Sequence, residues 1–262
     1  MVDLPKRRGG VRTLHVPDEP TKQLQRRVLR RLLSALEPHP AALGFRRGKS
    51  VVDHAQLHSG CKLLLKCDVV DFFPQTLGTR VNAFFRRLGW DDEAAGVLTK
   101  ITCRDNGLPQ GAPTSPALSN LVNRGLDAKL ARLAERWGGF YSRYADDLCF
   151  SWREERANTA RHARGVLQSA RQTLRAYGYR LHGRDKTRFA RSHHRQLVCG
   201  LVVNAKPALP RETRRRLRAI RHRMETGREA TMTKQQLAGW EAYASMVAAV
   251  PEEVDLRDSE DV

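Results

Sequence analysis

The run Phe140-Tyr-Ser-Arg-Tyr144-Ala-Asp146-Asp147-Leu-Cys-Phe-Ser151 constrains this chain more than any other. Two β-prone segments flank a short acidic tip, which reads as a hairpin with adjacent carboxylates at its turn. Carboxylates held side by side repel each other unless a cation neutralises them. The tip is therefore either solvated turn chemistry or a hard-cation site of the kind Mg²⁺ forms with phosphate substrates.

A second acidic position lies far upstream. Lys62-Leu-Leu-Leu-Lys66-Cys-Asp68-Val-Val-Asp71-Phe72-Phe73-Pro74 begins as an apolar run and reads as a largely buried strand ending at Asp68. Asp68 can be a strand-end turn residue. A carboxylate at the edge of an apolar strand needs a partner, however, and no basic run beside it offers an obvious one. Packing this strand beside the 140–151 hairpin would bring three carboxylates together, the minimum kit for two Mg²⁺ ions in nucleotidyl transfer. A third segment, Gly107-Leu-Pro-Gln110-Gly111-Ala-Pro-Thr-Ser115-Pro116, reads as a turn-rich loop feeding a helix over 117–135, with Ser115 as cap and Pro116 in the first turn. Gly107 and Gly111 would let the backbone approach a base pair or sugar closely, unless this is an ordinary loop before a helix.

In order and spacing these three segments resemble the palm motifs of reverse transcriptases. The finer texture resembles bacterial retron-type enzymes. Gly44-Phe-Arg46-Arg-Gly-Lys49-Ser50 is similar to their second block. His54-Ala-Gln-Leu-His58 is similar to the retron Asn-Ala-x-x-His signature with His54 in place of Asn, and Val198-Cys199-Gly200 to Val-Thr-Gly with Cys199 in place of Thr. The resemblance spans roughly residues 5 to 250. It implies an α+β right-hand polymerase fold, with an antiparallel palm sheet backed by helices.

The same resemblance assigns roles. Asp68 and Asp146 become the main metal ligands with the Val69 backbone, and Asp147 the third carboxylate, holding two Mg²⁺ ions for which Mn²⁺ could substitute. Phe73 falls at the sugar gate that excludes a 2′-OH, with Phe72 as a core aromatic. Gln110 falls near the incoming sugar, and Lys186 matches a lysine that serves the leaving pyrophosphate. The N-terminal Leu4-Pro-Lys6-Arg-Arg-Gly-Gly-Val-Arg12-Thr-Leu14 reads as two short strands about a Gly-Gly turn. It resembles the fingers hairpin in which Lys6 and Arg12 would grip the triphosphate, Arg12 through its planar fork. Arg46 and Lys49 would touch nucleic acid.

Composition agrees with a polyanionic partner: 47 Lys+Arg against 28 Asp+Glu give a formal charge of +19. No apolar stretch suits a membrane span, and no h-region marks a secretory signal. The five cysteines show no C-x-x-C spacing, which fits reduced thiols in the cytoplasm. His54 and His58 stand at i, i+4 without an evident third ligand for zinc.

Texture divides the chain into fingers over 1–60 together with about 79–104, palm over 61–203, thumb over 205–250, and an acidic tail over 251–262 expected to be disordered. The fingers helix shows an apolar stripe of Leu24, Val28, Leu29, Leu32, Leu33 and Leu36. The thumb crowds Arg214, Arg215, Arg218 and Arg221 onto one helix, a spacing that can track a duplex backbone.

The expectation is an RNA-directed DNA polymerase using dNTPs on an RNA template. Retron resemblance implies that template and primer are one structured noncoding RNA (msr-msd). The product would be a branched RNA–DNA (msDNA) used in antiphage defence with an effector protein. Another bacterial reverse transcriptase (abortive-infection, group II intron-like or diversity-generating) and a non-catalytic RNA-binding scaffold are the alternatives.

Overall fold

The computed structural model describes residues 2–5, 11–154, 158–183 and 185–250. The antiparallel pair β1 (Val2–Pro5) and β2 (Val11–Leu14) comes first, followed by α1 (Glu19–Arg31), α2 (Val51–Leu57) and β3 (Leu63–Asp68). Next come α3 (Gly78–Arg87), α4 (Asp92–Thr102), α5 (Ser115–Val122), α6 (Arg124–Arg136) and the hairpin β4 (Phe140–Tyr144) and β5 (Asp147–Trp152). The chain continues through α7 (Thr159–Ala176), β6 (Arg188–Arg191), the small pair β7 (Leu197–Val198) and β8 (Leu201–Val202), α8 (Arg211–Glu225) and α9 (Lys234–Ala248). Lys6 and the tail 251–262 lie outside the described residues, as does the side chain of Arg12.

A four-stranded antiparallel sheet, in the order β4-β5-β3-β6, positions the site. Side chains alternate across a strand, and both faces of this sheet are covered. Leu63, Leu65 and Cys67 of β3 join Leu148, Phe150 and Trp152 of β5 and Tyr141 of β4 on one face. There they meet Leu126, Leu130 and Ala134 of α6 and Ala163, Val166, Ala170 and Leu174 of α7, stripes with the three-to-four spacing of a helix packed on one side. Leu64 and Cys149 point the other way. They meet Val52 and Ala55 of α2, Val198, Leu201 and Val203, and the buried stripes of α8 (Leu217, Ile220) and α9 (Leu237, Val247). Each apolar side chain so buried contributes about 1.5–3 kcal/mol, which fixes register, because a one-residue slip of β3 would exchange its two faces.

A third cluster joins Leu33, Val81, Phe84, Phe85, Ala95, Leu118 and Leu121, uniting α3, α4 and α5 with the turn after α1. Among the described residues no helix is long and apolar enough to cross a membrane.

Three local expectations need correction. The helix over 117–135 is two helices, broken at buried Asn123, whose amide donates to the Ser119 carbonyl (2.7 Å) and the Tyr179 hydroxyl (2.8 Å). Ser115 does not cap: its hydroxyl donates to the Pro109 carbonyl, and the N-cap position is Thr114. In α1 the stripe turns by one residue, so Leu24 is exposed while Gln25 is buried and donates to the Ile101 carbonyl of α4 at 2.8 Å. A buried amide with a backbone acceptor satisfies its polarity, which a purely apolar reading of the stripe does not foresee.

Candidate active site

The register β3–β5 sets Asp68 directly opposite Asp147 as cross-strand partners. Asp147 also pairs with Tyr144 across the hairpin, so Ala145 and Asp146 form a two-residue tip. Ala145 has φ +56°, a left-handed conformation costly for a residue with a Cβ, and it is buried. Three contacts over-determine this tip. The Arg143 guanidinium donates to the Ala145 carbonyl at 3.2 Å. The Val69 N–H donates to the Asp146 carbonyl at 3.0 Å, tying the end of β3 to the turn. Gly44 passes so close that a Cβ there would lie 2.9 Å from the Ala145 nitrogen.

Arg143 is itself held from behind. Its guanidinium grips Asp127 of α6 bidentately (2.8 and 2.7 Å), and the Tyr141 hydroxyl donates to the same carboxylate at 2.9 Å. Burial opposes the Arg143 charge, yet Asp127 raises its pKa above the ordinary guanidinium value.

At the tip end of the other face lie partly exposed ion pairs. Lys66 donates to Asp147 at 2.9 Å. Burial disfavours the Lys66 ammonium, but the Asp147 carboxylate outweighs this and raises its pKa. Asp68 Oδ1 receives Lys186 Nζ and His182 Nε2, each at 3.1 Å, and the two nitrogens lie 3.0 Å apart. The expectation that Asp68 lacks a basic partner is thereby corrected. Its partners come from a loop more than a hundred residues away in sequence, which strand-local reading cannot see.

Phe72 and Phe73 part company as expected: Phe72 is buried and stacked on Tyr179, whereas Phe73 is half-buried with its ring 6.0 Å from Phe45. Gln110 is half-buried, and its carbonyl accepts from the His15 N–H at 2.7 Å, fastening the loop to the end of β2. The two loop glycines serve the protein rather than a ligand. A Cβ on Gly107 would collide with the Pro74 backbone, and Gly111, at φ +113°, lies beside the His15 backbone. Arg46 pairs with Glu37 at 3.0 Å, and Lys49 is exposed. On α8, Arg214, Arg215 and Arg218 are exposed, and Arg221 pairs with Glu241 of α9 at 2.7 Å. Arg214, Arg218 and Arg221 line one groove with Leu209 and Ala244.

Beneath the hairpin lies a histidine nest. His58 is fully buried, with Ser151 Oγ at 2.8 Å and Ser142 Oγ at 2.7 Å on its two nitrogens. Desolvation pushes its pKa down to about 3, so the ring is neutral, one nitrogen donating and the other accepting. His54 stacks on Tyr144, and its Nδ1 meets Cys199 Sγ at 3.3 Å. The third soft ligand unseen in sequence is Cys149, whose sulfur groups with both rings within 4.8 Å. Both His58 nitrogens are already committed to serines, which favours a packing role for the nest.

Several residues of the site escaped sequence reasoning: Arg143, Asp127, Lys66 and His182. Two had a legible signal. Arg143 is a lone charge inside an apolar strand, which demands a buried partner. Lys66 stands two residues before Asp68, on the same face of β3.

The donor set fits hard divalent cations. Three oxygen-bearing side chains are assembled by β3 and the hairpin tip, and half-exposed ammonium groups now balance two of them.

Residues 4–216 match the family model described as reverse transcriptase (RNA-dependent DNA polymerase). The chain is 35% identical to the retron Mx162 reverse transcriptase of Myxococcus xanthus, over 93% of this chain and 56% of that protein. It is 33% identical to the retron Ec86 reverse transcriptase of Escherichia coli, over 89% of this chain and 71% of that one. Among solved structures, telomerase from Candida albicans in complex with a fragment of telomeric RNA aligns with a TM-score of 0.52 at 13% identity, over 73% of this chain and 38% of that one. This last likeness concerns the polymerase fold alone.

Proposed function

The chain belongs to the reverse transcriptase family, and from that premise we propose that it copies RNA into DNA as a retron-type enzyme. The observation that carries the proposal is the direct pairing of Asp68 with Asp147 beside the Asp146 tip. Asp68, Asp146, Asp147 and the Val69 carbonyl would hold two Mg²⁺ ions, with Mn²⁺ a possible substitute. When bound, such ions acidify an attacking hydroxyl and neutralise a triphosphate.

The remaining roles belong to the chain's own groups. Phe73 would form the sugar gate that excludes a 2′-OH. Gln110 supports the sugar on a loop fixed by His15. Lys6 and Arg12 grip the triphosphate. Lys186, which pairs with Asp68, would balance the charge of the departing pyrophosphate. Arg46, Lys49, Arg214, Arg215, Arg218 and Arg221 track the RNA template and the RNA–DNA hybrid through phosphate contacts. The fingers, palm and thumb correspond to 1–60 with 79–104, 61–203 and 205–250.

The template would be a structured noncoding RNA (msr-msd) that also primes synthesis, giving branched msDNA for antiphage defence with an effector protein. The described cysteines are free thiols, in keeping with a cytoplasmic setting.

Primer extension on an RNA template with dNTPs and Mg²⁺ tests the reading. The wild-type protein extends, and Asp146→Asn abolishes extension while RNA binding stays nearly intact, because phosphate contacts dominate affinity. Extension by that variant at the wild-type rate removes the tip carboxylate from catalysis.

A further inference from the structure

Phe45 has no role in the site as assigned so far, yet the backbone is strained to present it. Its φ is +62°, a conformation that a bulky side chain adopts only when its surroundings enforce it, at a cost of about 1–3 kcal/mol. The enforcement is visible. Segment 41–44 is stitched along β4: the Arg143 N–H donates to the Ala41 carbonyl (2.7 Å), and the Leu43 N–H donates to the Arg143 carbonyl (2.9 Å). The Asn120 amide then fixes the Gly44 carbonyl at 2.7 Å, and Gly44 passes over the hairpin tip where no Cβ would fit. The outcome is an aromatic ring left 48% exposed above the site. A half-exposed phenyl delivered by a strained backbone gains less from burial than a core ring would, so its position invites another cause.

Its neighbours point to that cause. The Phe45 ring centroid lies 6.0 Å from Phe73 and 6.0 Å from Tyr144, at tilts of 49° and 44°. Phe73 therefore meets two further rings. One is Phe72, at 5.6 Å and itself stacked on Tyr179. The other is Phe45. Core side chains of two clusters pack on the rest of Phe73, and Phe45 is its exposed ring partner. Without Phe45 the Phe73 ring loses that restraint, and a ring that can swing cannot exclude one hydroxyl group.

We infer that Phe45 is a specificity-determining residue, the buttress that fixes Phe73 so that the pocket rejects ribonucleotides. The inference rests on the polymerase reading above. Through its contact with Tyr144, the same ring couples the sugar pocket to the tip that carries Asp146.

The test compares wild-type protein with Phe45→Gly, Phe45→Tyr and Phe73→Ala, reading the ratio of kcat/KM for dNTP to that for the matching rNTP. Glycine suits the positive φ, so Phe45→Gly removes the ring without lowering the melting temperature. Discrimination in this variant falls about tenfold, in the same direction as in Phe73→Ala, while Phe45→Tyr retains it. A Phe45→Gly ratio equal to wild type, beside a relaxed Phe73→Ala, overturns the inference. So does a raised KM for dNTP with unchanged discrimination, which would make the ring a base-stacking platform instead. Absence of extension by the wild-type protein would overturn the parent reading, an outcome distinct from either.

Discussion

On the face of the β4–β5 hairpin packed against α6 and α7, the side chains of Arg143 and Asp127 are 1% and 0% exposed; at the tip end of the opposite face those of Lys66 and Asp147 are 27% and 24% exposed. Both are ion pairs of similar length, and Arg143 and Asp147 lie one register step apart across the β4–β5 pair, which sends their side chains to opposite faces. Burial separates their uses. The inner pair is closed, with both Asp127 oxygens occupied and the remaining guanidinium nitrogen donating to the Ala145 carbonyl, so it fixes the shape of the tip. The outer ammonium groups sit on carboxylates in solvent reach, where a divalent ion can take their place at little cost. One face holds geometry, and the other leaves charge exchangeable.

The sharpest way to break that contrast is to remove one inner partner. Arg143→Met or Asp127→Ala strands a buried charge and should destabilise the protein by about 3–5 kcal/mol. That is a fall in melting temperature of roughly 10 °C for a chain of this size. Extension should fail even where folded protein persists, because the strained Ala145 turn loses its clamp. The double variant Arg143→Met with Asp127→Leu leaves no charge behind and should cost less than either single change. Additive losses in a denaturation series would show that the two side chains do not act as one unit.

This contrast also explains what the sequence disclosed. The outer chemistry was legible as a candidate because adjacent acids at a hairpin tip and an acid ending an apolar strand each need a partner: the packing of the Asp68 strand beside the 140–151 hairpin was expected from sequence, and the register shows it. The inner chemistry was not. Asp127 sits on a helix that looks amphipathic with or without it, and only the packing of α6 against β4 shows that it faces Arg143. His182 and Phe45 were missed for a related reason, since both act from loops whose path is set by tertiary contacts. The break at Asn123 was hidden because local propensity favours one continuous helix, whereas buried partners on Ser119 and Tyr179 hold the observed turn.

Acid should sharpen the comparison at an intermediate scale. His58 is buried on the same face as Lys66 and Asp147, between Ser142 and Ser151, and its folded pKa of about 3 lies below the ordinary 6.5. The unfolded chain therefore binds the extra proton first, so stability is full above about pH 6.5 and is lost as pH falls toward 3. From pH 7.5 to pH 5 the loss from His58 alone is about 2 kcal/mol. Desolvation depresses His54 too, which adds loss of the same sign. Thermal melts across that range measure it, and His58→Gln should flatten the slope. An equal slope in wild type and variant would move the acid sensitivity elsewhere.

The smallest effect on stability is expected from the second outer pair, Lys186 with Asp68, and it bears most directly on exchange. Lys186 is 45% exposed, and its contact with Asp68 contributes at most about 1 kcal/mol. Lys186→Met should therefore leave the melting temperature within a degree or two. What should change is the Mg²⁺ requirement: with Lys186 gone, His182 alone competes for Asp68 Oδ1, and the half-saturating Mg²⁺ concentration for extension should drop a few-fold. Turnover at saturating Mg²⁺ should fall by about 10²-fold if Lys186 also serves the leaving group. Tighter use of Mg²⁺ combined with slower turnover is a pattern that no general loss of folded protein can mimic. A Mg²⁺ titration indistinguishable from wild type would mean that the lysine does not compete for Asp68, and that the outer face is less exchangeable than its exposure suggests.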